Sequence, residues 1–486
     1  MEFFDAKQWS GKIASGGWVS GDGGTRDVVS PATGKVIGQT GLAAPADVHR
    51  AATAAAAAQP AWQATDYAAR SEVLRRAAAV IEKRSDVLQE WLVREAGSAK
   101  AKAAFELHIV TGLLHMAAAL PLAPYGQLLP SVKQRLSFER RTPVGVVGVI
   151  SPFNFPEILS IRAVAPALAL GNAVILKPDP RTAVSGGLVL SEIFAEAGLP
   201  EGLLHVLPGA ADAGAALVEH PLVGVISFTG STAAGRAVGE LGAKHLKHVQ
   251  LELGGNNAMV VLDDVDVARA VSAGAFGSFL HQGQICMTTG RHLVHERVYD
   301  EYVERLAATA EGLPVGDGAT TDAPLGPLID AHQRDRVHQL VTSSVEAGAR
   351  LAAGGTYEDL FYRPTVLADA TVSHPAFAQE VFGPVAPVMR FSSLDEAADI
   401  VNRSEYGLSL SVLTNDPLRG LALADRTRHG IVHINDQTVD DEPVIPFGGL
   451  GASGNGSRIG GFAANIDAFT ETQWITMQSE IQPYPF

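Results

Sequence analysis

Cysteine is almost missing from this chain: Cys286 is the only one in 486 residues. One cysteine excludes an intrachain disulfide and any metal site built from several cysteines. Positive charge is short as well, with 37 Lys and Arg against 52 Asp and Glu and a net charge of −15. That balance argues against a nucleic-acid surface and for a self-repelling particle. Long apolar runs are lacking too. The longest are interrupted by His115, Pro121, Gly171-Asn172 or Lys177, so no membrane span and no membrane partner are expected. The opening Met-Glu-Phe-Phe-Asp has no basic n-region or long apolar h-region, so no signal peptide is read and a cytoplasmic location is expected. Two common motifs are absent. The nearest approach to GxGxxG is Gly454-Asn455-Gly456, which follows no clear strand, opens no clear helix and reads as loop. His292-Leu293-Val294-His295-Glu296 lacks HExxH spacing and reads as a strand with its histidines on opposite faces, so no metal is expected.

What is present is an ordinary apolar fraction of 47%, enough for a large core. The length would hold about three average domains, though large α/β proteins fill it with two. Residues 18–40 alternate apolar and polar between turn residues and predict a small antiparallel sheet. An Ala-rich segment opening at Pro45-Ala46-Asp47 predicts an amphipathic helix to Trp62, with Asp47 near its start. Helices are expected to continue over 68–95 and 98–119, and Pro121 and Pro124 end them. Residues 127–141 read as an extended arm, and 472–477 have strand character. Two such distant edge strands are expected to pair across a dimer interface.

Then five β-branched runs, 144–150, 173–177, 203–207, 224–228 and 249–253, alternate with helical segments over 156–170, 182–197, 211–220 and 232–242. Strands that are not half polar predict a parallel sheet covered on both faces, with ligands at the carboxyl ends of its strands. A second α/β stretch is expected from about 291 to 434, and no repeat or disordered linker is evident.

Three segments carry chemistry. Gly283-Gln284-Ile285-Cys286-Met287-Thr288-Thr289-Gly290 surrounds the lone thiol with small, polar and flexible residues. A structural cysteine has apolar neighbours, whereas a nucleophile needs an accessible thiol and backbone N–H groups directed at it. Leu251-Glu252-Leu253-Gly254-Gly255 sets one carboxylate in an apolar run, where its pKa rises towards the range of a general base. Ser151-Pro152-Phe153-Asn154-Phe155-Pro156 places an amide between aromatics and prolines. Thiol, carboxylate and amide are the parts needed to make and hydrolyse a thioester. Phe228-Thr229-Gly230-Ser231-Thr232-Ala233-Ala234-Gly235 reads as strand, turn and helix start, whose free N–H groups favour a pyrophosphate.

In these segments, and in their order along nearly the whole chain, the sequence resembles the aldehyde dehydrogenase superfamily. Within it the resemblance points to the aromatic-aldehyde branch of benzaldehyde and vanillin dehydrogenases. It implies an α/β fold of two Rossmann-like parallel-sheet domains plus a small oligomerisation flap. The cofactor-binding domain is expected over 1–125 and 142–251, the catalytic domain over 252–440, and the flap over 126–141 and 466–486. The resemblance implies that Cys286 attacks the aldehyde, that Asn154 and the backbone N–H of Cys286 hold the oxyanion, and that Glu252 activates water. It assigns Lys177 to the adenosine ribose and Glu380 and Phe382 to the nicotinamide end, with Gly230, Ser231 and Gly235 at the pyrophosphate turn. NAD is expected, as is assembly into a homodimer or homotetramer.

Two positions bear on specificity. NAD-preferring relatives often carry glutamate three residues after the ribose lysine. Here that residue is Pro180, which leaves NADP open, with Asp179 a partial substitute. Arg162 lies eight residues, about two helical turns, beyond Asn154 and so faces roughly the same way. It is either a plain salt bridge or a substrate-pocket cation selecting a ring hydroxyl, phenolate or carboxylate. Ile285 and Met287 are expected beside it in the pocket. The rival readings are an aliphatic or semialdehyde dehydrogenase with Arg162 gripping a carboxylate and, remotely, a cofactor-binding protein without catalysis.

Overall fold

The computed structural model describes residues 4–486. The five expected β-branched runs form the parallel core of one sheet. Their spatial order is His248–Glu252, Val223–Thr229, Val146–Ile150, Ala173–Lys177 and Leu204–Val206. Val146–Ile150 comes first in the chain but lies in the middle, so the winding reverses beside it. Such a reversal opens a crevice at the carboxyl ends of the two strands it separates. Asn154 follows one of those strands and Gly230-Ser231 the other. Helices Pro156–Ala169, Val189–Glu196, Ala211–Glu219 and Thr232–Lys244 connect the strands. The fold is α/β, as expected.

A second sheet runs Arg350–Ala353, Thr365–Ala368, Val385–Phe391, Thr289–His295, Asn257–Val261, Ser409–Leu413 and Ile431–Ile434. Its strands are parallel except Arg350–Ala353. Asn257–Val261 begins five residues after the last residue of the first sheet, Glu252. The Leu253–Asn256 link therefore joins the two sheets, and the Cys286 loop leads into the adjacent strand Thr289–His295.

Several elements differ from expectation. The 18–40 segment is not one small sheet. Trp18–Ser20 pairs with Lys12–Ala14 on the edge of the first sheet, while Thr25–Val29 and Val36–Gly41 form a separate hairpin. The helix expected over 68–95 is two, Tyr67–Lys83 and Ser85–Ala96, broken at Arg84 with φ −108° and ψ 12°. The helix expected over 182–197 opens with a π turn, Val184–Leu188. Pro45–Ala64 is helical as expected, and the Asp47 carboxylate accepts from the N–H groups of Ala44 and Asp22, both at 2.8 Å.

The tail strand Thr470–Met477 pairs antiparallel with Leu136–Pro143 of its own chain, not of a second copy, and Gly126–Leu128 completes the three-stranded sheet. The cause lies just before the strand. Phe469 is fully buried and its carbonyl accepts from Asn172 Nδ2 at 3.0 Å, which returns the tail to the first sheet before pairing starts.

Lys100–Leu122 is long and apolar enough to cross a membrane by length and composition alone. In this fold it packs against Tyr67–Lys83 and Pro156–Ala169 as a core helix. It also carries the buried pair Lys102 and Glu106.

Candidate active site

The Cys286 loop is held by a set of fixed bonds. Before it, His281 and Gln282 take positive φ values of 47° and 56°, and Gly283 follows at 66°. A Cβ on Gly283 would lie 2.1 Å from the Gly383 carbonyl oxygen, so only glycine fits there. Asn257 Nδ2 donates to the carbonyls of Cys286 and Thr288, both at 2.8 Å, while its Oδ1 accepts from Ser409 N. Thr288 Oγ1 donates to the Gly283 carbonyl, and Gln284 Oε1 accepts from Ile329 N.

Asn154 reaches this loop from the first sheet. Its Nδ2 donates to the Gln284 carbonyl at 2.8 Å. An amide nitrogen carries two N–H groups, and that bond uses one. The Asn154 carbonyl accepts from Lys102 Nζ at 2.8 Å. Lys102 also pairs with Glu106, whose other oxygen accepts from the backbone N–H groups of Glu157 and Ile158. Glu106 thus satisfies the first turn of Pro156–Ala169, which has no side-chain cap of its own. This helix is buried on every side, so its two charged residues, Glu157 and Arg162, sit in the interior. Burial and neighbouring Glu106 hold the Glu157 carboxyl well above the usual range.

A cavity of about 320 Å³ brings Cys286, Asn154, Arg162, Ile285 and Met287 together. Phe105, Phe155, Phe276 and Phe447 supply aromatic wall, and Lys102, Asp440 and Asp441 are its other charged residues. Arg162 is buried, pairs through Nη2 with Asp441 Oδ2, and lies over the Phe447 ring at 4.9 Å. It is a salt bridge and a pocket residue at once.

Glu252 is the last residue of its strand and is buried, with the Gly449 backbone N–H directed at its carboxylate. It is not part of the cavity wall. Burial raises its pKa well above the usual range, with Arg162 and Arg458 opposing. Burial pushes the Cys286 thiol up to about 12, and the charges of Glu380, Glu252 and Asp441 act in the same direction.

The remaining expected residues lie outside the cavity. Lys177 ends its strand and is buried, not a solvated surface lysine, and burial lowers its pKa. Ser231 caps Thr232–Lys244 by accepting from Ala234 N. A Cβ on Gly235 would meet Leu253 Cδ2 at 2.2 Å, so the glycine lets this helix lie against Leu253. Glu380 accepts from Gly255 N at 2.9 Å, and burial raises its pKa to about 7. Phe382, at φ 55°, meets Phe153 edge-on at 5.9 Å. Asp179 is committed: both of its oxygens accept from Arg181, which also donates to Asp330. Asp179 thus shares one arginine with Asp330, directly before the position where the acidic group is missing at Pro180. His292 bonds Ser278 and Tyr302, and His295 accepts from Arg297 N.

A family model described as the aldehyde dehydrogenase family matches residues 18–475. The chain belongs to that family. It is 61% identical over 486 residues to a vanillin dehydrogenase of Amycolatopsis sp. (strain ATCC 39116 / 75iv2), with 100% of each chain covered. It is 50% identical to a benzaldehyde dehydrogenase [NAD(+)] of Pseudomonas putida, with 98% of each covered. A solved putative aldehyde dehydrogenase from Burkholderia cenocepacia superimposes with a TM-score of 0.94 at 36% identity, covering 98% of this chain and 99% of that one.

Sequence reasoning missed the residues that hold the family's reacting groups in place here. Lys102, Glu106 and Asp441 lie 52, 48 and 287 positions from Asn154, and no local pattern marks them. Asn257 was visible after Gly254-Gly255, but its partners Cys286, Thr288 and Ser409 lie 29 to 152 positions further along the chain.

Proposed function

We propose that this aldehyde dehydrogenase oxidises an aromatic aldehyde of the benzaldehyde or vanillin type to its acid with NAD(P). The observation that carries the reading is the narrow aromatic-walled cavity at Cys286. Relatives named for those two substrates align over the whole chain.

The residues present fit a nicotinamide dinucleotide. Lys177 at its strand end, Gly230-Ser231 at the start of a 13-residue helix, and Glu380 with Phe382 near the cysteine loop surround the crevice where the first sheet's winding reverses. Residues 1–125 and 142–251 serve cofactor binding, and 252–440 serve catalysis.

Cys286 attacks the aldehyde carbon. The free N–H of Asn154 and the backbone N–H of Cys286 donate to the developing oxyanion. Oxidation of this thiohemiacetal, for which the cofactor supplies the two-electron acceptor, leaves a thioester on Cys286. Glu252, of raised pKa, takes a proton from the water that hydrolyses it. The presence of this base argues against acyl transfer to a thiol cosubstrate, and the complete set of Cys286, Glu252 and Asn154 argues against a non-catalytic role.

The semialdehyde reading loses its main support, because Asp441 already neutralises Arg162. Exposed Leu128, Leu136, Trp474 and Met477 on the three-stranded sheet support assembly of copies into a dimer or tetramer. A free thiol nucleophile suits a reducing, cytoplasmic compartment.

The test is reduced-cofactor formation with NAD and NADP separately, on benzaldehyde, vanillin, hexanal and succinic semialdehyde. Higher kcat/KM for the aromatic aldehydes is expected. A win for hexanal or succinic semialdehyde overturns the substrate class and leaves the chemistry standing.

A further inference from the structure

The wall of the Cys286 cavity contains a charged pair in otherwise largely apolar surroundings. Arg162 uses Nη2 on Asp441 Oδ2, while Arg162 Nε and Nη1 and Asp441 Oδ1 are buried without a hydrogen-bond partner. Buried donors and acceptors without partners are costly, and more so when charged. Both residues line the same cavity as Cys286 and Asn154. Phe447 fixes one face of the guanidinium, so the pair is held in place by packing as well as by charge.

The pair offers an unused donor and an unused acceptor side by side. A neutral hydroxyl matches both, since its oxygen accepts and its hydrogen donates. An anionic group matches less well, because Asp441 repels it. A methoxy group can use only the Arg162 side. Plain benzaldehyde uses neither.

We propose that Arg162 and Asp441 together form a hydroxyl clamp, selecting aromatic aldehydes that carry a neutral ring hydroxyl. The inference rests on the aromatic-aldehyde reading above, and it assigns Asp441 a specificity role that the sequence did not reveal. Arg162 donates to the hydroxyl oxygen, Asp441 Oδ1 accepts its hydrogen, and the ring lies between them and the thiol. A site built to hydrogen-bond a hydroxyl discriminates strongly against the analogue that lacks it, because its polar groups are then left unpaired.

The experiment measures kcat/KM for benzaldehyde, 3-hydroxybenzaldehyde, 4-hydroxybenzaldehyde, 4-methoxybenzaldehyde and hexanal. It compares the wild type with Asp441→Leu, Arg162→Leu and the double variant. The double variant matters because removing one charge strands the other. For the better hydroxybenzaldehyde, the wild type is expected to show a preference over benzaldehyde of about tenfold or more. The methoxy compound should fall between them. In the double variant the hydroxyl-to-plain ratio should collapse towards one. An aromatic preference with a wild-type ratio near one overturns the clamp alone. So does a double variant that keeps the wild-type ratio. A wild type that prefers hexanal to every benzaldehyde overturns the aromatic reading and the clamp with it. The wild-type ratios decide the matter by themselves should the variants fail to fold.

Discussion

The Asn154 side-chain amide donates to the carbonyl of Gln284, two residues before the nucleophile, at 2.8 Å. The bond ties the loop after the first sheet's middle strand to the loop before the second sheet's strand Thr289–His295. It fixes the amide relative to Cys286 before substrate arrives, so its remaining N–H needs no reorganisation when charge develops.

Asn154→Ala should therefore lower kcat by about 10²- to 10³-fold, the usual cost of one oxyanion donor. Steady-state kinetics on benzaldehyde would show it, with KM changing much less than kcat. A fall confined to KM would mean that Asn154 binds substrate without stabilising the oxyanion.

The thiol at about 12 is protonated near neutral pH in the cofactor-free protein. A raised thiol pKa means that the thiolate fraction rises about tenfold per pH unit until pH approaches that value. Alkylation of Cys286 by iodoacetamide should climb steadily from pH 7 to 10 without a plateau. A plateau near neutrality would show a thiolate already present. Because Arg162 favours the charged form, Arg162→Leu should slow alkylation at every pH in that range.

Glu252 has its folded pKa well above the usual carboxylate range, chiefly through burial. Below that pKa the carboxyl keeps its proton and cannot take one from water, so kcat should fall as pH drops through it. The acid limb of the profile is expected well above pH 4.5. Glu252→Gln should remove hydrolysis while leaving attack by the thiol. A rapid-mixing trace would then show about one equivalent of reduced cofactor per Cys286, followed by turnover lowered at least about 10²-fold. Loss of the initial burst as well would place Glu252 in the first half of the reaction.

Lys102 and Glu106 form a buried ion pair within the core helix Lys100–Ala119, and Lys102 also donates to the Asn154 carbonyl. Lys102→Met and Glu106→Gln each leave a buried partner uncompensated, at a cost of about 3–5 kcal/mol. Replacing both with apolar residues should cost less than either single change, as read by denaturant unfolding. Lys102→Met should also lower kcat, because it frees the Asn154 carbonyl. Equal stability of the single variants and the wild type would show that the pair is not coupled.

The sequence by itself determined the local features. Five β-branched runs without polar alternation marked buried parallel strands, because strands covered on both faces have no polar side to display. The glycines around Cys286 marked a loop that a bulkier chain could not form, and the Gly283 backbone bears this out. Glu252 and Asn154 were legible because each sits at a strand end within a short distinctive run. The helix break at Arg84 was not legible, because apolar spacing continues across it. The pairing of the Thr470–Met477 strand with the arm was legible, but not that it occurs within one chain, since a strand pattern shows an unpaired edge without saying whose edge completes it. Only the tertiary structure brought Asp441 to Arg162, Lys102 to Asn154, and Asp330 to Arg181. Periodicity and spacing report what a residue's neighbours in the chain require. A buried charge is settled by a partner that packing delivers from anywhere in the chain, and its role is decided there.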